Sequence, residues 1–176
     1  GKSAALNEAF FESRGDIVIT MDADLQDDPS EIINFISKVN QGYDLVSGWK
    51  VNRKDPLSKT IPSKLFNLIT SKASGLKLND FNCGFKAYKK DLVKDLQIYG
   101  ELHRYIPILA NNMGYKVTEI PVKHNARRFG KSKFGIERYF RGFLDLLTQK
   151  FIHSSSSLGS QGAKICILGR ALAIAI

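Results

Sequence analysis

The sequence predicts an α/β layered fold with a largely parallel sheet. Short apolar, β-branched runs alternate with amphipathic helical stretches, and the first such run ends directly in a cluster of acids. Ile17-Val18-Ile19-Thr20-Met21 has the make-up of a buried strand. Asp44 to Gly48, Cys83 to Tyr88 and Lys116 to Val122 are the further strand candidates, the last by its alternation of Val117, Ile120 and Val122 with polar residues. Lys2 to Arg14 reads as a helix with Ala4, Ala5, Leu6, Ala9 and Phe10 on its apolar side, stopped by Gly15. A second helix is marked at its start by Asp28 as N-cap, Pro29 at the first helical position and Glu31 completing a capping box. Ile32, Ile33, Phe35, Ile36 and Val39 then keep helical spacing up to Gly42. Ser63 to Ala73, with Leu65, Phe66 and Ile69 buried, and Asp91 to Tyr99 are shorter helices. Glu101 to Met113 is helical with a kink or restart at Pro107.

The 176 residues suffice for one domain with a core. Hydrophobic residues at 43% and charged residues at 24% exclude collagen-like, disordered and disulfide-scaffold classes. No apolar run approaches the roughly 20 residues of a spanning helix. The chain begins Gly1-Lys2-Ser3 without Met, which suggests a piece of something longer or a processed product. Cys83 and Cys166 form no C-x-x-C pair, and the simpler reading is reduced thiols in a cytosolic compartment. The formal charge of +9 points to a phosphate-bearing partner. Between Val122 and Arg141 lie seven basic residues against one acid, Glu137.

The acidic cluster carries the chemistry. Ligands of open α/β sheets bind at the carboxyl ends of strands. Asp22 and Asp24, spaced i, i+2, both face such a crevice if the chain stays extended. With the amide oxygen of Gln26 they form an oxygen set suited to Mg²⁺ or Mn²⁺, ions that retain bonds to substrate phosphates. The alternative is turn chemistry, since acidic loops after strands are common. Asp28 is assigned to the helix cap, and Asp27 has no assignment.

Gly1-Lys2-Ser3-Ala4-Ala5-Leu6-Asn7, Gly15-Asp16 and Met21-Asp22-Ala23-Asp24-Leu25-Gln26-Asp27-Asp28-Pro29 resemble glycosyltransferase family 2. The similarity is greatest to the polyprenyl-phosphate sugar transferases, such as dolichol-phosphate mannose synthase and bactoprenol glucosyltransferase. It continues through Asp80-Phe81-Asn82-Cys83-Gly84-Phe85-Lys86-Ala87-Tyr88, Gly100-Glu101-Leu102-His103-Arg104-Tyr105 and Arg127-Arg128-Phe129-Gly130-Lys131-Ser132-Lys133. The resemblance implies a GT-A-type, Rossmann-like sandwich whose first strand and base-binding segments lie upstream of Gly1. It covers residues 1–151 as a partial catalytic domain and leaves 152–176 an unassigned tail.

From the resemblance, Asp24 and Gln26 are implied as metal ligands, with Asp22 at the nucleotide or the metal. Arg127, Ser132 and Lys133 are implied at a loop near the phosphates, and Arg104 near an acceptor phosphate. Lys50 stands where many members carry arginine, so the charge is kept and the bidentate fork is not. Asp80 occupies the position of a general base in members with hydroxyl acceptors, or else is a turn carboxylate. The implied reaction is inverting transfer from a nucleotide-diphosphate sugar to a polyprenyl phosphate, at the inner face of a membrane.

The expected partners are therefore that donor, that acceptor and an anionic membrane surface. An amphipathic helix from Ile136 to Phe151 follows the basic segment and packs either on its own core or on such a surface. Rival functions are transfer to a saccharide hydroxyl, an inactive fragment, or a non-enzymatic phosphate binder. The processive synthases' Q-x-x-R-W motif is absent from the sequence. Nucleic acid is not an expected partner, because the acidic cluster repels phosphate unless a metal intervenes.

Overall fold

The computed structural model describes residues 1–51, 67–72 and 74–125. The basic segment with Arg127, Ser132 and Lys133, the helix from Ile136, Cys166 and the tail all lie outside the described residues, as do Leu65 and Phe66. Among the described residues four strands form one sheet: β1 (Ile17–Thr20), β2 (Leu45–Lys50), β3 (Lys86–Lys89) and β4 (Val117–Val122), in the order β1-β3-β2-β4. β2 and β4 pair in parallel, while β3 runs antiparallel to both β1 and β2. The α/β class is borne out. β1, β2 and β4 share one direction, and β3 is the single opposed strand between them.

Strand alternation sorts the side chains onto two faces. Val18, Leu45 and Tyr88 join a cluster with Phe10, Leu92, Leu102 and Ile106. Val46, Ala87, Ile120 and Val122 join the opposite cluster with Phe35, Val39 and Phe85. Helix α1 (Lys2–Glu12), α3 (Lys90–Asp95) and α4 (Ile106–Asn112) supply the first cluster, and α2 (Ile32–Asn40) supplies the second. Pro121 is accommodated because β4 is an edge strand among the described residues. No helix among the described residues is long and apolar enough to cross a membrane.

Several boundaries follow the sequence signals. Asp28 caps the turn Pro29–Glu31 by accepting from the Ser30 backbone N–H at 3.0 Å. Glu31 does not complete the expected capping box; its carboxylate accepts from Asn34 Nδ2 at 2.6 Å, because the first turn is 3₁₀ rather than α. Pro107 does restart the chain, separating a 3₁₀ turn at Leu102–Arg104 from α4. The strand expected from Cys83 begins only at Lys86.

Two buried faces differ from their apolar patterns. In α1, Ala4, Ala5 and Ala9 are exposed, and the inward face is Ser3, Leu6, Asn7 and Phe10. Ser3 and Asn7 bury because they have backbone partners: Ser3 Oγ donates to Gly100 O at 2.7 Å and Asn7 Nδ2 to Ile98 O at 2.5 Å. In the helical stretch 67–72, Thr70 is fully buried and Ile69 is 43% exposed, the reverse of expectation.

Phe35 is fully buried and packs on Phe85 with ring centroids 4.3 Å apart. Phe35→Ala is expected to cost about 3–5 kcal/mol of stability, read by urea denaturation. Ile33→Ala, at a position 71% exposed, should stay within roughly 0.5 kcal/mol of the parent.

Candidate active site at the carboxyl end of the sheet

Because β1, β2 and β4 share a direction, their carboxyl ends meet at one end of the sheet, where the turn into β3 also lies. Thr20 Oγ1 donates to Gly84 O at 2.8 Å and ties the end of β1 to that turn. Gly84 has no room for a side chain, since a Cβ there would overlap the Asp22 carboxylate. Asp22 in turn pairs with Lys2 of α1 at 2.8 Å, with both side chains partly exposed.

A cavity of about 110 Å³ opens on this end. Asp22 and Arg104, both singled out from the sequence, line it together with Lys2, Lys86, His103 and Asn82. Arg104 is buried at 3% exposure and pairs with Glu101 at 2.8 Å. Lys86 is also 3% exposed; its ammonium donates to the carbonyls of Cys83 and Phe81. Burial pushes the Lys86 ammonium below the usual lysine pKa, against the opposing pull of Cys83 and Asp80. Burial also takes His103 down to about 4 and the Cys83 thiol up to about 11. His103 is therefore neutral near pH 7 and Cys83 is an inert thiol. Lys86 and His103 were missed as site residues. Lys86 shares a strand face with Tyr88 in an apolar-looking run, and only its place at the strand end marks it.

The acidic segment does not stay extended. The chain turns at Ala23-Asp24, and Leu25 takes a left-handed φ of 60°, a conformation costing roughly 1–2 kcal/mol for a side-chain-bearing residue. Asp24 accepts from the Gln26 backbone N–H at 3.3 Å. Gln26 points inward: its Nε2 lies 3.3 Å from His124 Nε2 and donates to Asn125 O at 3.2 Å. Asp27 forms a bridge with His124, just past β4, and Asn125 N donates to Gln26 O at 2.8 Å.

β1 and β4 are opposite edges of the described sheet, so residues 22–27 traverse its whole end. Lys50 lies beneath this crossing, 3.3 Å from the Asp27 carboxylate and almost buried. Burial opposes the Lys50 charge, but Cys83, Asp27 and Asp22 outweigh it and hold the ammonium above its usual pKa. Burial likewise opposes ionisation of Asp27, and His124 and Lys50 outweigh it, leaving Asp27 below the ordinary carboxylate range. Lys50, expected from the resemblance as a substrate contact, pairs here with Asp27. Asp80, 3% exposed, caps its own turn by accepting from Asn82 N at 3.0 Å and is not among the cavity-lining residues.

Asp22 lines the cavity, whereas Asp24 and Gln26, beyond the turn, are not among its lining residues; both Asp22 and Asp24 carry hard oxygens of the kind a divalent cation takes. The cation held by Asp22 here is the Lys2 ammonium, a partly exposed pair that contributes little stability and is easily exchanged. Among the described residues no three His, Cys, Asp or Glu side chains converge, so such an ion would draw further ligands from phosphate oxygens and water. On that condition the residues fit a divalent cation.

Comparison with known proteins places this geometry. The chain is 39% identical over 155 residues to the dodecaprenyl-phosphate galacturonate synthase of Rhizobium johnstonii, covering 86% of this chain and 46% of that protein. It is 36% identical over 169 residues to an undecaprenyl-phosphate 4-deoxy-4-formamido-L-arabinose transferase of Shewanella sediminis, covering 96% and 51%. The chain thus spans about half the length of the curated relatives it matches. Among solved structures it resembles the glucosyl-3-phosphoglycerate synthase of Mycobacterium tuberculosis in complex with Mn²⁺, uridine-diphosphate-glucose and phosphoglyceric acid. That match has a TM-score of 0.64 at 16% identity, covering 86% of this chain and 55% of that one, and it bears out the GT-A fold. With residues 1–97 matching the model for glycosyl transferase family 2, the chain belongs to that family.

Proposed function

We propose that this chain supplies the diphosphate and acceptor end of an inverting transferase that moves a sugar from a nucleotide-diphosphate sugar to a polyprenyl phosphate. The observation that carries it is the meeting, in one cavity, of Asp22 with the cations Lys2, Lys86 and Arg104. An anionic acceptor phosphate suits the cations, and the acidic segment suits a metal-bridged diphosphate. The names of both curated relatives, a polyprenyl-phosphate synthase and a polyprenyl-phosphate transferase, support this acceptor class.

In this reaction an acceptor phosphate oxygen bonds to the anomeric carbon as the bond to the diphosphate breaks, and the nucleoside diphosphate leaves. Mg²⁺ or Mn²⁺ at Asp22 and Asp24, with Gln26 as a candidate third ligand, would neutralise charge accumulating on that diphosphate. Lys86 and Arg104, fixed by carbonyls and by Glu101, form a preorganised cationic wall that needs no reorganisation as charge moves. A phosphate is already ionised at neutral pH and needs no base, which fits Asp80 being committed to its turn. The sequence adds Arg127, Ser132 and Lys133 as further phosphate contacts. It also adds an anionic membrane surface, on the cytoplasmic side, as the place where the lipid is met.

Three measurements on the protein at its natural length test this function. Asp24→Ala should abolish Mn²⁺-dependent binding of UDP or GDP in calorimetry; binding that persists, or that needs no metal, overturns the metal-diphosphate assignment. Arg127→Ala should lower kcat/KM by roughly 100–1,000-fold, the scale of one lost preorganised donor, and an unchanged value removes it from the site. The enzyme should glycosylate a short polyprenyl phosphate and leave the matching polyprenol untouched. Equal transfer to the alcohol would instead make Asp80 the general base and the acceptor a hydroxyl.

A further inference from the structure

We propose that Asp27, Lys50 and His124 are positioning residues that hold the acidic segment across the sheet end, so that Asp22 and Asp24 present their carboxylates to one divalent cation. The proposal rests on the transferase reading above and concerns Asp27 and His124, to which that reading gives no role, together with Lys50, a candidate substrate contact.

The geometry is specific. The segment leaves β1 at one edge and is fastened beyond β4 at the other, where Asp27 bridges His124 and Asn125 N donates to Gln26 O at 2.8 Å. Crossing three inter-strand gaps of about 4.8 Å requires about 14 Å. Six residues at about 3.4 Å each reach roughly 20 Å, and the turn at Ala23-Asp24 with the left-handed Leu25 takes up the slack. A segment with slack and a strained residue keeps one shape only if both ends are held. Thr20 and Gly84 hold the first end.

At the second end the Asp27 carboxylate, 3% exposed as a residue, lies 3.3 Å from Lys50 Nζ and 3.7 Å from His124 Nδ1. His124 Nε2 meets the Gln26 amide at 3.3 Å, so one imidazole contacts two members of the segment. Lys50 comes from the carboxyl end of β2, midway along the crossing. Each of the three side chains therefore belongs to a different carboxyl end and converges on the residues just after the ligand pair Asp22 and Asp24.

The test follows Mn²⁺ by electron paramagnetic resonance in the presence of UDP or GDP, with turnover measured as a function of Mn²⁺. Asp27→Asn and His124→Gln should weaken Mn²⁺ binding about 10–100-fold, the usual effect of losing an outer partner of a metal ligand. The Mn²⁺ concentration for half-maximal activity should rise in step, while kcat at saturating Mn²⁺ stays near the parent value. Lys50→Met should weaken Mn²⁺ binding by a similar factor and Lys50→Arg should recover most of the affinity, which keeps the test decisive if Asp27→Asn fails to fold; at Lys50, a candidate substrate contact, only the Mn²⁺ affinity is read. Variants that bind Mn²⁺ as the parent does, when Asp24→Ala does not, overturn the positioning role and leave the transferase reading standing. A kcat lowered equally at every Mn²⁺ concentration shows a merely structural role and overturns it too. A parent that binds no Mn²⁺ with either nucleotide overturns both.

Discussion

The shared direction of β1, β2 and β4 is the constraint on which the site depends. Strand direction decides where each strand's last residue emerges, so three separate stretches of sequence deliver the acids at 22–27, Lys50 and His124 to one end. The opposed strand β3 completes the arrangement from the other direction. Its amino end, not its carboxyl end, reaches the site, and it brings the turn with Asp80, Asn82 and Gly84. Asn79, just before that turn, is fastened to Glu119 of β4 through its backbone N–H at 2.8 Å. Both edges of the described sheet thus hold segments that cross the site.

Close approach governs the centre. Asp22 can lie over the β3 turn only because residue 84 is glycine, and Gly48 is similarly confined, with the Cys83 Sγ 3.0 Å and the Phe85 carbonyl 3.1 Å from where a Cβ would be. These two contacts set the spacing between the ends of β1, β3 and β2. The missing side chain at Gly84 therefore lets the Asp22 carboxylate approach the turn before β3, where the Lys2 ammonium pairs with it from α1.

Local signals were legible and remote ones were not. The β-branched run before an acid cluster, Asp28 followed by Pro29, and Pro107 within an apolar stretch each state their structure over a few residues. Asp27 carries no such signal, because its partners are 23 and 97 positions away. The inward faces of α1 and of residues 67–72 were misjudged for the same reason. Ser3, Asn7 and Thr70 look like surface residues until the loop carbonyls or neighbours that bury them are known. The antiparallel placement of β3 was equally hidden, since a four-residue strand reads alike in either direction.

The family resemblance implied Asp22 at the nucleotide or the metal and Arg104 near an acceptor phosphate, and it gave Lys86, within a matching stretch, no role; one cavity is lined by all three. A fully desolvated ammonium is costly unless its protons are bonded, and Lys86 has the carbonyls of Cys83 and Phe81 to meet that need. Burial still pulls its pKa down, so the charge is held at a cost that an apolar residue would not incur. A cation kept under that cost in the lining of a cavity directs its field into the cavity rather than into water. Arg104, at 3% exposure with Glu101 behind it, works in the same direction. Asp22 lines the same cavity, and its negative charge would by itself repel an incoming diphosphate. Under the proposed function the two signs serve one anionic substrate pair if one phosphate lies against the lysine and arginine and the other would meet the carboxylates through a shared divalent cation.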